Sequence, residues 1–153
     1  MALTSYDLIR TAVAEQLIAD IGWISESNIF DYSPTDPATV FGCLPSVIVD
    51  FDRSSNIEWE SAGAGGYLRA IPLLIEVYVE IPSDDITGRA SSVDIAQKLR
   101  EVEESFEWRP SIGGAVKNST IRSSKIESIR IDAIKLGVMV RFAWVALVVY
   151  ALT

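Results

Sequence analysis

Two long runs decide what this chain can fold into. From Tyr67 to Ile81, the residues Ile71, Leu73, Ile75, Val77, Val79 and Ile81 occupy every second place, with Glu76, Tyr78 and Glu80 between them. A period of two sets these groups on opposite sides of a pleated strand. From Val138 to Leu152 the chain is apolar but for Arg141, and it is rich in valine with Phe142, Trp144 and Tyr150. That run is about 15 residues long, short of the roughly 20 that a spanning helix needs. Its β-branched and aromatic make-up predicts a strand, apolar on both sides, that lies centrally in a sheet or is covered by another subunit.

Other segments fit around these two. Thr4 or Ser5 can cap a first helix, and Thr4 with Asp7 has capping-box spacing with Asp in place of Glu. Ile9, Val13 and Leu17 give that helix an apolar stripe, extended by Tyr6 and Ile21, and Gly22 is expected to end it. Residues 23–45 read as irregular, with 31–38 a loop that holds two prolines. Ser46 to Asp52 alternates as a half-buried strand, 53–56 is a turn, and 57–60 alternates again. The run 61–66, with three glycines, reads as a flexible hairpin tip or loop. Pro72 cannot donate to a ladder, so the long strand is expected to be broken there or to lie at an edge.

Residues 83–88 form a connector. A second helix is expected from Ser91 to Glu107, capped by Ser91 or Ser92, with Val93, Ala96, Leu99, Val102 and Phe106 as its buried stripe. Asp94 with Lys98, and Arg100 with Glu104, can pair one turn apart. Residues 111–124 read as a loop, Lys125 to Ala133 as a strand, and Gly137 as the turn into the last strand. The pattern gives an α+β fold in one domain over 1–153: a mostly antiparallel β-sheet with two α-helices packed on one face.

The chain lacks the usual reactive groups. Among its 153 residues there is no histidine and one cysteine, Cys43. That removes the commonest general base and the common zinc ligand sets within one chain. Cys43 as a nucleophile would lack its imidazole, and a buried or half-buried thiol beside Pro45 is the plainer account. A single cysteine fits a reducing compartment, and the opening MALTSYDLIR does not read as a secretory signal, so the sequon at Asn118 is expected to be idle. Gly63, Gly65 and Gly66 precede a strand, not a helix, so they make no phosphate cradle. Asp50 and Asp52 could hold a divalent cation with Asp84 or Asp85, although alternation alone also explains their positions. Glu101, Glu103 and Glu104 read as a solvated helix face.

The net charge of −8 argues against tight sequence-independent nucleic-acid binding. Lys117, Arg122, Lys125 and Arg130 make one modest basic cluster without interleaved aromatics. Four tryptophans lie in four separate segments. Trp144 reads as core. Trp59, between Glu58 and Glu60, and Trp108, after a helix end, suit a core and a protein interface equally well.

The layout resembles a known family. A first amphipathic helix, PSVIVDF at 45–51, a Gly-rich hairpin, LRAIPLLIEVYV at 68–79, a helix with DIAQKLREV at 94–102 and two closing strands look like the tail terminator or tail completion proteins of long-tailed bacteriophages. Among them they look most like the small Mu-like tail proteins of prophages. The resemblance covers nearly the whole chain and is one of architecture; no invariant motif carries it. It implies a non-catalytic structural protein with no cofactor and no metal. Such proteins form a ring, typically a hexamer, on the tail tube. The ring stops tube growth and offers a docking surface to head–tail connector proteins, and DNA later passes through without specific binding. The implied setting is the cytoplasm of a bacterial host during assembly, then the virion tail. On this reading Trp59, Gly63, Gly65, Gly66, Trp108, Lys117, Arg122 and Arg141 are the expected contact residues. A stand-alone module that binds a small ligand or a cellular protein is the alternative, and a carboxylate enzyme holding a metal at Asp50 and Asp52 a third.

Overall fold

The computed structural model describes residues 5–63, 66–129, 131–134 and 136–152. The order is α1 (Tyr6–Asp20), β1 (Ile29–Phe30), α2 (Pro37–Phe41), β2 (Ser46–Phe51), β3 (Glu58–Gly63), β4 (Gly66–Glu80), α3 (Arg89–Trp108), β5 (Asn118–Ile129), α4 (Ile131–Ile134) and β6 (Val140–Leu152). The strands form one sheet in the order β1-β2-β4-β6-β5, with β3 also on β4. Every pairing is antiparallel except β1 with β2. The α+β class expected from the sequence is the one observed.

β4 and β6 are the axis of the sheet and pair without a break from Leu68↔Leu152 to Glu80↔Val140. Their odd-numbered residues face α1 and α3. Ile71, Leu73, Ile75 and Val77 from β4 and Val145, Leu147 and Val149 from β6 are fully buried there against Ile9, Val13, Leu17, Ile95 and Val102. Each such side chain contributes about 1.5–3 kcal/mol on leaving water. This cluster therefore outweighs any single polar contact in fixing the fold.

Pro72 does not break β4. It pairs with Val148 on one side, and on the other its carbonyl accepts from the Asp52 amide at 3.0 Å. It sits where β3, paired up to Ala70, gives way to β2, paired from Leu73. The missing N–H falls in the gap between two neighbours, where no ladder bond is lost.

The second face of the sheet is partly covered, which the sequence reading did not foresee. Val40 and Phe41 of α2, Ile48, Tyr78, Ala133 and Val140 form a smaller buried cluster there. Ser46 through Val49 are consequently all buried, so β2 is not the half-exposed strand expected. β1 and α2 also correct the reading of 23–45 as irregular. Asp36 caps α2 by accepting from the Ala38 amide at 3.0 Å, with Pro37 in the first turn. Asn28 ties the segment down through the carbonyls of Trp23 and Pro45 at 2.8 and 2.9 Å.

Further boundaries shift. α1 ends at Asp20, with Ile21 rather than Gly22 as its extended cap, and Thr4 lies outside the described residues. The Gly-rich run is mostly strand: β3 continues to Gly63 and β4 begins at Gly66. β5 begins at Asn118, inside the expected loop, and the expected strand ends before the short helix α4. Trp144 is half-buried on the second face and donates to Glu127 at 3.0 Å.

α3 starts earlier than expected and presents a different stripe. Its cap is Gly88 in the left-handed region (φ 75°), and Asp85 accepts from the Ala90 and Ser91 amides. A side chain at residue 88 would also meet the Arg141 guanidinium, 2.6 Å from an ideal Cβ. Ser91, Ile95, Leu99, Val102, Ser105 and Phe106 are buried, while Val93 and Ala96 face solvent. The expected ion pairs form: Asp94 with Lys98 at 2.5 Å and Arg100 with Glu104 at 3.4 Å.

Candidate assembly surfaces

The polar groups singled out from the sequence are engaged in holding the fold. Asp50 accepts from Arg10 at 2.9 Å and from Ser33 at 2.6 Å, and also from the Phe51 amide. Burial pushes its carboxyl up, but these hydrogen bonds and the guanidinium outweigh burial and hold it below the usual carboxylate range. Asp52 closes the turn at Ser54. Hydrogen bonds from Ser91 hold the carboxyl of Asp85 low. Among the described residues, no group of three His, Cys, Asp or Glu is placed to hold a metal ion. Cys43 is half-buried, and burial pushes its thiol up.

The hairpin of β3 and β4 carries an aromatic and cationic platform. Trp59 lies opposite Arg69 in the register, and Tyr67 stands one diagonal place away. The Trp59 and Tyr67 rings are 4.4 Å apart between centroids, and the Arg69 guanidinium sits 4.4 Å over Trp59. Arg69 also bonds the Tyr6 hydroxyl of α1. Trp59 nevertheless remains 59% exposed. Gly63 and Gly66 pair at the end of this hairpin, and Gly65 lies outside the described residues. The sequence reading named Trp59 and missed Tyr6, Tyr67 and Arg69. Counting back from the glycines would have set Trp59 opposite Ala70; the register shift between Trp59 and Ser61, which the sequence does not mark, brings it opposite Arg69.

Trp108, the last residue of α3, is 81% exposed. Ser119 at the start of β5 donates to the nearby Pro110 carbonyl at 2.7 Å. Because β5 starts beside Tyr150 of β6, and Tyr150 lies beside Ala70, Trp108 and the hairpin belong to the same end of the sheet. Lys117 and Arg122 are exposed along this part of β5, and Arg122 approaches Ser55 at 3.5 Å. Arg141 is placed elsewhere. Near the start of β6, it donates to Ser91 at 2.8 Å and to the Gly88 carbonyl at 3.1 Å, anchoring the first turn of α3.

That opposite end is aliphatic. Ile86 is 93% exposed, and Ile126, Ile134, Leu136 and Met139 are all exposed around the start of β6. None of these was singled out from the sequence: Ile86, Leu136 and Met139 sit in connectors where no period marks a face, Ile134 ends the short helix α4, and Ile126 lies within β5. The hollows between elements are open to solvent. One of them, about 640 Å³, is lined by Ser33, Asp50, Asp52, Arg53, Leu74 and Glu76 among others. No helix among the described residues is long and apolar enough to cross a membrane.

No family model matches the chain. No curated protein matches it. Among solved structures, it is similar to a chain in a structure described as "Virion of native gene transfer agent (GTA) particle". The identity is 11% and the TM-score 0.47, over 97% of this chain and 100% of that one.

Proposed function

We propose that this chain is a non-catalytic structural component of a phage-like virion, which forms a ring on the end of a tail tube, stops its growth and offers a surface for head joining. One observation carries the reading. The helix-covered core is complete, yet large side chains stay exposed at both ends of the same sheet: Trp59, Tyr67 and Trp108 at one, Ile86, Ile134, Leu136 and Met139 at the other. Apolar surface of this size gathered at sites of contact marks a partner more often than it marks a monomer. Two such ends suit a part stacked between two others. The net charge of −8 suits a lumen that DNA crosses without adhering.

A small-ligand module would call for an enclosed, mostly apolar pocket. Among the described residues, the roomy hollow of about 640 Å³ is open and bordered by Asp50, Asp52, Arg53 and Glu76, which does not favour that alternative.

Sedimentation of the purified chain, with negative-stain microscopy of the heaviest species, tests the proposal. Rings of uniform diameter, and shorter tubes when the chain is added to polymerising tail-tube protein, are the expected results. A monomer at every concentration, with tube length unchanged, would sink it.

A further inference from the structure

We infer that Arg69 receives a carboxylate from a neighbouring copy of this chain, with Trp59 and Tyr67 walling the contact. The inference rests on the ring reading above and names one half of its joint.

Two guanidinium groups near the start of α1 are built alike, and one is incomplete. Arg10 lies over the Phe51 ring at 4.7 Å and bonds Asp50 at 2.9 Å, so ring and carboxylate both come from within the chain. Arg69 of β4 has more rings. Its guanidinium is 4.4 Å from the Trp59 centroid, 5.7 Å from that of Tyr6 and 5.9 Å from that of Tyr67. Among the described residues, no carboxylate lies within ion-pair distance of it. Its hydrogen-bond partner there is neutral, the Tyr6 hydroxyl, reached through Nη1.

The charge is thus partly dry and not balanced by an acid. Nε is shut off from water without a partner, which costs free energy in the separate chain. Nη2 also lacks a partner among the described residues, but it is not sealed off, so it remains a donor that another molecule can reach. A guanidinium stacked on rings keeps its fork of donors for a carboxylate.

The surroundings suit a protein contact. Trp59 faces Arg69 across the β3–β4 ladder, and Tyr67 lies two residues from Arg69 on the same side of β4. Trp59 is 59% exposed and Tyr67 41%, so the walls around the cation are bare. Tryptophan, tyrosine and arginine are the residues that most often dominate binding energy between proteins. A nucleic-acid backbone fits less well. There is one cation here, Glu58 next to Trp59 is exposed, and the chain carries a net charge of −8. A small anion would leave both rings uncovered.

A second copy meets these needs. The chain has 21 acidic residues against 13 basic ones, so a neighbouring copy brings a surplus of carboxylates set among protein atoms. β3 pairs with β4 alone among the described strands, so the platform lies at the flank of the sheet and is open to a lateral neighbour. Cation and carboxylate belong to different surfaces, so the joint is heterologous and can repeat around a closed ring. An ion pair at such a joint also weakens with salt.

The test uses two variants of the full chain. Arg69→Met replaces an unpaired charge with an apolar side chain of similar length, so the melting temperature of the diluted monomer is expected to hold or rise. In sedimentation velocity at low salt, the same variant is expected to need at least about tenfold more protein to associate, equivalent to about 1.4 kcal/mol. Arg69→Lys puts an amine at the site for carbodiimide coupling. Mass spectrometry of oligomers mixed from light and heavy isotope-labelled chains is expected to find position 69 joined to an Asp or Glu of another copy. Association unchanged by Arg69→Met, a melting temperature lower by more than about 4 °C, or no coupling between copies would overturn the contact and leave the ring reading standing. Arg69→Met rings that assemble normally but no longer shorten tubes would also overturn it, and would give the platform to the tube protein. Wild-type protein that never associates would remove both readings.

Discussion

The two faces of the sheet are built from the same strands and have different tasks. Toward α1 and α3, Ile71, Leu73, Ile75, Val145, Leu147 and Val149 meet a continuous apolar layer and none is exposed. On the other face the intervening residues Pro72, Leu74, Glu76, Ala146 and Val148 meet a mixture. α2 and α4 cover one end, the turn after β2 brings Ser54, Ser55 and Asn56 near the other, and the middle is open. One face thus fixes register and stability. The other tolerates polar groups and leaves the chain's ends free to carry large exposed side chains. Adjacent residues on one strand can therefore differ greatly in what they contribute.

The largest test of that contrast is Leu147→Ala. It should lower the stability measured by chemical denaturation by about 2–5 kcal/mol, through lost transfer energy and an unfilled cavity. An effect below 1 kcal/mol would mean that the helix layer does not hold the sheet. A sharper comparison uses neighbours of equal shape. Val149→Thr buries a hydroxyl in the apolar layer and should cost about 1–3 kcal/mol. Val148 is also buried, at 8% exposure, but it borders a hollow with Ser54, Ser55 and Asn56, so Val148→Thr leaves the hydroxyl near polar groups and should cost less than Val149→Thr, below about 1 kcal/mol. Equal losses would erase the distinction between the faces.

Smaller still is the acid response of Asp50. Its folded carboxyl is held below its unfolded value, so its contribution is present above the ordinary carboxylate range and fades as pH falls through the folded value. Denaturation series between neutral and strongly acid pH should show a shallower loss for Asp50→Asn than for the parent chain. Identical slopes would mean that the Arg10 pairing does not contribute. Least of all, Trp108→Ala should move the melting temperature little, because the ring is 81% exposed, while weakening association. A large drop in melting temperature would place Trp108 in the core and not at a contact.

Period-two patterning made the dominant face legible. The buried set Ile71 to Val79 could be read directly, because a strand covered on one side repeats every two residues. The second face was not legible, since its partners, Val40, Phe41 and Ala133, come from two short helices in segments of mixed composition. α3 shows a subtler miss. The sequence reading took Val93 and Ala96 into the stripe, whereas Ile95, Leu99, Val102 and Phe106 recur at spacings of four, three and four and form the buried face. The local pattern held the right answer, and two neighbouring small apolar residues obscured it. Of the expected contact residues, Trp59 and Trp108 are indeed exposed, as are Lys117 and Arg122, whereas Arg141 is half-buried and tied to α3. Arg122 falls at a register shift between Ile121 and Ser123, which depends on pairing with β6 and which no local pattern reveals.

β4 runs unbroken from the paired glycines at the hairpin end to Glu80 at the aliphatic end. At about 3.3 Å per residue, its length approaches 50 Å. A pull on the hairpin would travel along covalent bonds and be shared in shear by the whole β6 ladder, instead of peeling hydrogen bonds one by one. The molecule therefore has a stiff spar joining its two ends; in the proposed assembly, a component stacked on one side would register strain applied at the other with little slack.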